Sequence, residues 1–246
     1  MRESHSGRND AVVTEHYSYR MRKLFAFLLL TIAIACAPTQ RSSAGAPPVN
    51  TAEIAVAPNV AADSLLVDVR SLDPTIVVDM RYATANNFTG APLPGYEANR
   101  AFLRREAASA LARVQRDLRQ RGLALKIFDA YRPVRATLAM VEWTERAHRP
   151  ELLKDGYIAS RSRHNLGLAI DLTLIDLGTG QELEMGTAFD TFSPAAHTAN
   201  AAGLAAVNRQ KLKAAMEAEG FQNYDQEWWH YTFNVPNPLR FDRVIR

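Results

Sequence analysis

At 246 residues, with 47% hydrophobic and 22% charged residues, the chain has the length and composition to bury a full core and is neither disordered nor fibrous in character. Its formal net charge is only +3, and residues 1–36 hold five Lys/Arg against three Asp/Glu, which accounts for +2 of that total. A balance so close to neutral gives no electrostatic reason to expect a nucleic-acid partner. The single cysteine, Cys36, excludes an intrachain disulfide, and the sequence has neither an internal repeat nor a phosphate-cradling glycine loop.

In chain order, the first element is Met21-Arg22-Lys23 followed by the apolar run Leu24 to Ala35. A short basic head, an apolar core too short to span a bilayer and small residues at its end describe a bacterial export signal. Cys36 directly after Ala33-Ile34-Ala35 suggests a lipoprotein signal with a lipidated cysteine. Ala33 departs from the leucine usual three residues before it, so simple cleavage and release is the alternative. Residues 1–20 are polar, and translation is expected to start at Met21. Residues 37–63, rich in Ala, Pro, Ser and Thr, read as a flexible tether. Residues 64–246 then suit one domain around one core.

Within that domain, Leu103, Ala107, Leu111, Val114 and Leu118 recur at helical spacing and Gly122 follows as a stop. Leu123 to Ala130 reads as a strand that delivers Tyr131 and Arg132 at its end, and Pro133 opens a second helix through about His148. Leu168, Ile170, Leu172 and Leu174 alternate with Ala169, Asp171 and Thr173, a strand with one apolar face, so Asp171 should point into a cleft. Gly167 marks its tight entry and leaves His164 on the preceding loop. A third helix, about Asn200 to Glu219, stops at Gly220. Glu227-Trp228-Trp229-His230-Tyr231-Thr232-Phe233 reads as a last strand.

The chemistry concentrates in Ser162 to Asp171 and Glu227 to His230. Two histidines and an aspartate, His164, His230 and Asp171, can hold a zinc ion tetrahedrally and leave its fourth position to water. Glu227 is then the natural base for that water. Each residue alone has a plainer explanation: a solvated histidine, a turn-capping aspartate, core tryptophans. Their concentration in two segments favours the metal. The last strand fits less well. On a regular strand Glu227 and His230 face opposite ways, so either Glu227 precedes the strand proper or a bulge re-aims it.

These residues resemble the zinc D-alanyl-D-alanine peptidases. Ser162, His164, Gly167, Ala169 and Asp171 fit that family's S-x-H-x-x-G-x-A-x-D pattern, and Glu227, Trp229 and His230 fit its E-x-W-H pattern. The likeness is greatest to the VanX-type dipeptidases. It extends through Asp79-Met80-Arg81-Tyr82-Ala83-Thr84, Asn87-Phe88-Thr89-Gly90, Asp129-Ala130-Tyr131-Arg132-Pro133 and Met185-Gly186-Thr187-Ala188-Phe189-Asp190, in order from about Val67 to the C-terminus. The resemblance implies one zinc on His164, Asp171 and His230, catalysis by Glu227, and Arg132 stabilising the transition state. It also implies an α+β fold shared with the hedgehog signalling domain: a small antiparallel sheet, helices packed against it, and a zinc cleft.

Charge then suggests the mechanism. Two neutral imidazoles and one carboxylate leave zinc a formal +1, enough to polarise water and the scissile carbonyl. Glu227 moves the proton from water to the departing amine, and Arg132 meets the charge developing on the carbonyl oxygen. Ser162 is a candidate donor to a substrate carboxylate, and Asp190 a candidate partner for a free ammonium, although each also has a simple turn or cap reading. Three functions compete. They are a dipeptidase for D-Ala-D-Ala or a similar dipeptide, a zinc carboxypeptidase or endopeptidase for peptidoglycan stems, and a non-catalytic zinc-binding module. Glu227 argues against the third, since a structural zinc needs no base. The expected partners are a small dipeptide and, through Cys36 alone, a membrane; the expected location is the periplasm or cell envelope.

Overall fold

A computed structural model describes residues 55–246. The export signal, Cys36 and most of the 37–63 tether lie outside the described residues. The elements follow in the order α1 (Asn59–Leu65), β1 (Leu66–Asp68), β2 (Val77–Val78), β3 (Phe102–Arg104), α2 (Arg105–Gln120), β4 (Leu123–Asp129), α3 (Val134–Arg146), α4 (Glu151–Lys154), β5 (Ala169–Asp176), α5 (Gly203–Ala218), β6 (Gln222–Tyr224) and β7 (Glu227–Thr232). This is an α+β fold, as expected. Folded structure begins a little before residue 64, because Ala62 of α1 is fully buried and Asp63 pairs with Arg243.

Five strands form the main sheet in the order β2-β4-β5-β7-β6, antiparallel except for the short β2, which runs parallel to β4 at the edge. A separate ribbon pairs β1 with β3. Leu103 was expected on the first long helix and instead belongs to that ribbon. Phe102, Leu103 and Arg104 are all buried, and Arg104 N donates to Gly167 O at 2.8 Å, which holds the segment extended until the helix starts at Arg105. Helix α2 buries Ala107, Leu111, Val114 and Leu118 on one face. Gln115 is buried on that face too and accepts from Leu125 N at 2.8 Å, which ties helix to strand. Helix α5 starts at Gly203, three residues later than expected, because a 3-10 turn occupies Thr198–Asn200, and it stops at Gly220, whose φ is +89°.

Strand β5 departs from its expected one-sided pattern. Every residue from Ala169 to Ile175 is buried, Asp171 and Thr173 included, because β5 is central in the sheet and covered on both faces. Asp171 lines a cleft whose walls exclude most water, and its carboxylate needs partners there. No helix among the described residues is long and apolar enough to cross a membrane.

Candidate metal centre and its cleft

Three segments meet at Asp171. The 3-10 turn Arg163–Leu166 carries His164; it is capped by Ser162 Oγ, which accepts from His164 N at 3.2 Å, and ends at Gly167 with φ +64°. Asn165 Nδ2 donates to Arg132 O and Thr137 Oγ1, both at 2.9 Å, and Arg132 N donates to His164 O at 3.1 Å. The histidine turn and the strand-to-helix junction that carries Arg132 are thus locked together. From the other side β7 sets His230 directly opposite Asp171 in the ladder.

The three ligand-type atoms converge. His164 Nε2 lies 3.2 Å from His230 Nδ1 and 3.4 Å from Asp171 Oδ2, and His230 Nδ1 lies 2.8 Å from Asp171 Oδ1. Donors held about 2.0–2.1 Å from a tetrahedral ion stand about 3.3 Å apart, so the separations of His164 Nε2 from His230 Nδ1 and from Asp171 Oδ2 already match a shared metal. Protonation supports the same reading. His164 Nδ1 donates to Ala130 O at 2.6 Å, which leaves Nε2 as a lone pair aimed at the cluster. Burial holds His230 below the usual histidine range against the pull of Asp171, which favours the neutral imidazole that a metal would need. Asp171 is pushed up by burial, and its hydrogen-bonded neighbours His164 and His230 pull it back below the usual carboxylate range. The residues present fit a zinc ion.

Two breaks in strand register assemble the rest of the site. On β4, Ile127 faces Leu172 and Asp129 faces Asp171, so Phe128 is an extra residue and Asp129 takes the place beside the metal ligand. On the β6–β7 pair, Asn223 faces Tyr231 while the adjacent Tyr224 faces Glu227. The cleft is accordingly lined by Glu227 and Trp229 and then by His230 and Thr232, with the alternation reversing between Trp229 and His230. Of the two arrangements the sequence allows, the structure shows the bulge. It brings a Glu227 carboxylate oxygen to 3.8 Å from His230 Nδ1. Burial lifts the Glu227 carboxyl well above the usual carboxylate range, the charges of Asp171 and Asp190 add to that, and Arg132 opposes it.

Arg132 is buried and fixed. Its Nε and Nη2 both reach Asp129 Oδ2, at 2.9 and 2.8 Å, while Nη1 meets only the weak acceptor Met140 Sδ at 3.3 Å. The guanidinium therefore keeps donor capacity in reserve on Nη1, and its Nη2 also stands 3.8 Å from Asp171 Oδ2. Asp129, also bound by Tyr96 Oη at 2.6 Å, is the group that orients it. Asp190 is brought to the same cavity, a cleft of about 670 Å³ that also includes Ser162, Tyr157 and Phe192 in its walls. Tyr82 Oη donates to both Asp190 oxygens at 3.1 Å, and Asp190 itself sits at φ +60°. Burial drives its carboxyl well above the usual range, and Asp171 adds to the rise.

All seven expected site residues thus gather in one cleft, with Ser162 also serving as the turn cap. Asp129, Tyr82 and Asn223 carry no role in the sequence reading and emerge as parts of the site. The first two lie inside the quoted family segments, which was the available signal. Of the remaining histidines among the described residues, His197 pairs with Tyr157 Oη at 3.1 Å and His148 follows the end of α3.

Comparison with known proteins agrees with this geometry. The family model described as D-ala-D-ala dipeptidase matches residues 62–238. A D-alanyl-D-alanine dipeptidase of Enterococcus faecium is 40% identical over 169 residues, 62% of this chain and 83% of the relative. One from Streptomyces coelicolor is 37% identical over 176 residues, covering 65% and 87%. One from Escherichia coli K12 is 34% identical over 168 residues, covering 68% and 83%. The chain belongs to the D-Ala-D-Ala dipeptidase family.

Proposed function

We propose that this protein hydrolyses D-alanyl-D-alanine or a closely similar dipeptide, using one zinc ion held by His164, Asp171 and His230. One observation carries the proposal: a convergent His-Asp-His cluster shares a single cleft with a buried glutamate outside that cluster and with Asp190, a half-buried aspartate that forms no ion pair among the described residues. Bound there, zinc would supply Lewis acidity toward water and the scissile carbonyl. The protein's own groups do the rest. Glu227 takes a proton from the attacking water at its carboxylate, a task suited to a base whose affinity for protons burial has raised, and passes it to the departing amine. Arg132, held rigid by Asp129, presents its guanidinium to the developing negative oxygen without reorganising. Asp190, oriented by Tyr82, receives the free ammonium, and Ser162, in the cavity wall, donates to the substrate carboxylate.

The names of the relatives support the substrate class, and Met21 to Cys36 supports export to the cell envelope with a lipid on Cys36. The test is to incubate the zinc-loaded protein with D-Ala-D-Ala, L-Ala-L-Ala and a D-Ala-terminated pentapeptide and measure alanine release. Release from D-Ala-D-Ala alone is expected. Equal release from the pentapeptide would replace the dipeptidase with a carboxypeptidase.

A further inference from the structure

We infer that Asn223, oriented by Thr198, is a positioning residue that fixes the spacing between the base Glu227 and the metal ligand His230. The inference rests on the proposed metal-dependent reading. Glu227 and His230 serve one site only because β7 breaks register between them, and a bulge of this kind leaves backbone groups that the ladder does not pair. The Asn223 side chain spans that break. Its Nδ2 donates to Glu227 O at 3.1 Å and to His230 O at 3.0 Å, so one amide group holds the main chain of the base and that of the ligand together.

The amide is itself held. Thr198 Oγ1 donates to Asn223 Oδ1 at 2.6 Å, and Thr198 N donates to Asp225 O at 2.8 Å, which pins the β6–β7 hairpin from outside the sheet. Only this orientation works: turned over, the Asn223 oxygen would face two carbonyl oxygens with no proton between them. The group uses both amide hydrogens and its carbonyl in three hydrogen bonds while standing in the wall of the cleft. It touches neither the metal position nor the substrate-binding carboxylate. Its action is therefore through the geometry of Glu227 and His230.

The variants are Thr198→Val, which keeps the shape and removes the hydroxyl, Asn223→Asp, which keeps the shape and removes both donors, and Thr198→Ser as the conservative rescue. Three readouts apply to each: zinc affinity by chelator competition, the visible spectrum of the cobalt(II)-loaded protein, and kcat and KM on D-Ala-D-Ala. Loss of support behind a metal site typically weakens affinity or turnover about 10–100-fold. Thr198→Val and Asn223→Asp are expected to lose that much in kcat and zinc affinity with KM little changed, and to alter the cobalt spectrum. Thr198→Ser restores all three. If Asn223→Asp does not fold, the milder Thr198→Val carries the test. Parental zinc affinity, spectrum and kcat in Thr198→Val, at a temperature where it is fully folded, overturn the inference. A parent chain that binds no cobalt or cleaves no dipeptide overturns the underlying functional reading instead.

Discussion

Gly167→Ala tests whether the histidine turn is built by backbone geometry. Gly167 has φ +64°, and a side chain there would place Cβ 2.5 Å from Leu66 Cδ2 and 3.2 Å from Arg104 N. The left-handed conformation costs an L-residue about 1–2 kcal/mol. Overpacking adds about 1–3 kcal/mol, because Leu66 is itself buried and Arg104 N is backbone already donating to Gly167 O. The expected loss is about 2–5 kcal/mol, which at about 2–4 °C per kcal/mol for a domain of this size lowers Tm by about 4–20 °C. Relief of the clash moves Gly167, whose N donates to His164 O at 3.0 Å, so zinc affinity falls with stability. Thermal melting with and without zinc, alongside chelator competition, measures both. A variant within about 1 °C of the parent in both states, well inside the shift expected for even 1 kcal/mol, would refute the steric reasoning.

Glu227→Gln removes the proton carrier and leaves the three ligands, so zinc content is expected to stay while kcat falls at least about a hundredfold; near-parental turnover in a metal-replete variant would assign the proton to another group. Cys36→Ser is expected to move the protein from the membrane fraction to the soluble one, as fractionation of expressing cells would show, whereas recovery of an uncleaved chain from the cytosol would contradict the export reading.

The metal centre was legible in the sequence because its chemistry is carried by residue types in two short segments. His164, Asp171, His230 and Glu227 need only be brought together, and the strand patterns already suggested how. The residues that escaped the sequence reading act through register and distance. Asp129 sits beside Asp171 only because Phe128 is extra on β4, and period-two alternation has no signal for an inserted residue. Tyr82 meets Asp190 across 108 positions of sequence. Asn223 matters through the break it spans on β7, at the point where alternation left two arrangements open for Glu227. Alternation also misjudged β5: it reports which side chains differ between faces, but not that a central strand is covered on both. Leu103 matched a helical spacing and was claimed instead by pairing with β1, a tertiary contact that local propensity does not encode.

Asp190 combines backbone strain with a desolvated carboxyl, and the two together bear on its proposed role toward a substrate ammonium. A non-glycine residue at φ +60° is unfavourable, and strain of this kind persists where the surroundings enforce it. Here Tyr82 holds both carboxylate oxygens, while Phe189, the preceding residue, packs on Phe128 and Trp229. The carboxyl so fixed is half-buried, desolvation holds it well above the usual range, and the nearby cation, Arg132, turns its Nε and Nη2 to Asp129. A desolvated carboxyl with no ion pair among the described residues is costly to ionise, and the free ammonium of a dipeptide is the group that would offset that cost. Asp190→Asn should therefore leave folding stability equal or higher, since asparagine tolerates the left-handed region well. It should also lower kcat/KM for D-Ala-D-Ala by about 30- to 4000-fold, the equivalent of about 2–5 kcal/mol for one partner of a desolvated charge pair. N-acetylation of the substrate should cost the parent about as much. In the variant, acetylation should cost little more, because the interaction it abolishes is already gone. A parent that cleaves the acetylated dipeptide as fast as the free one would make Asp190 a turn residue and its strain a matter of folding alone.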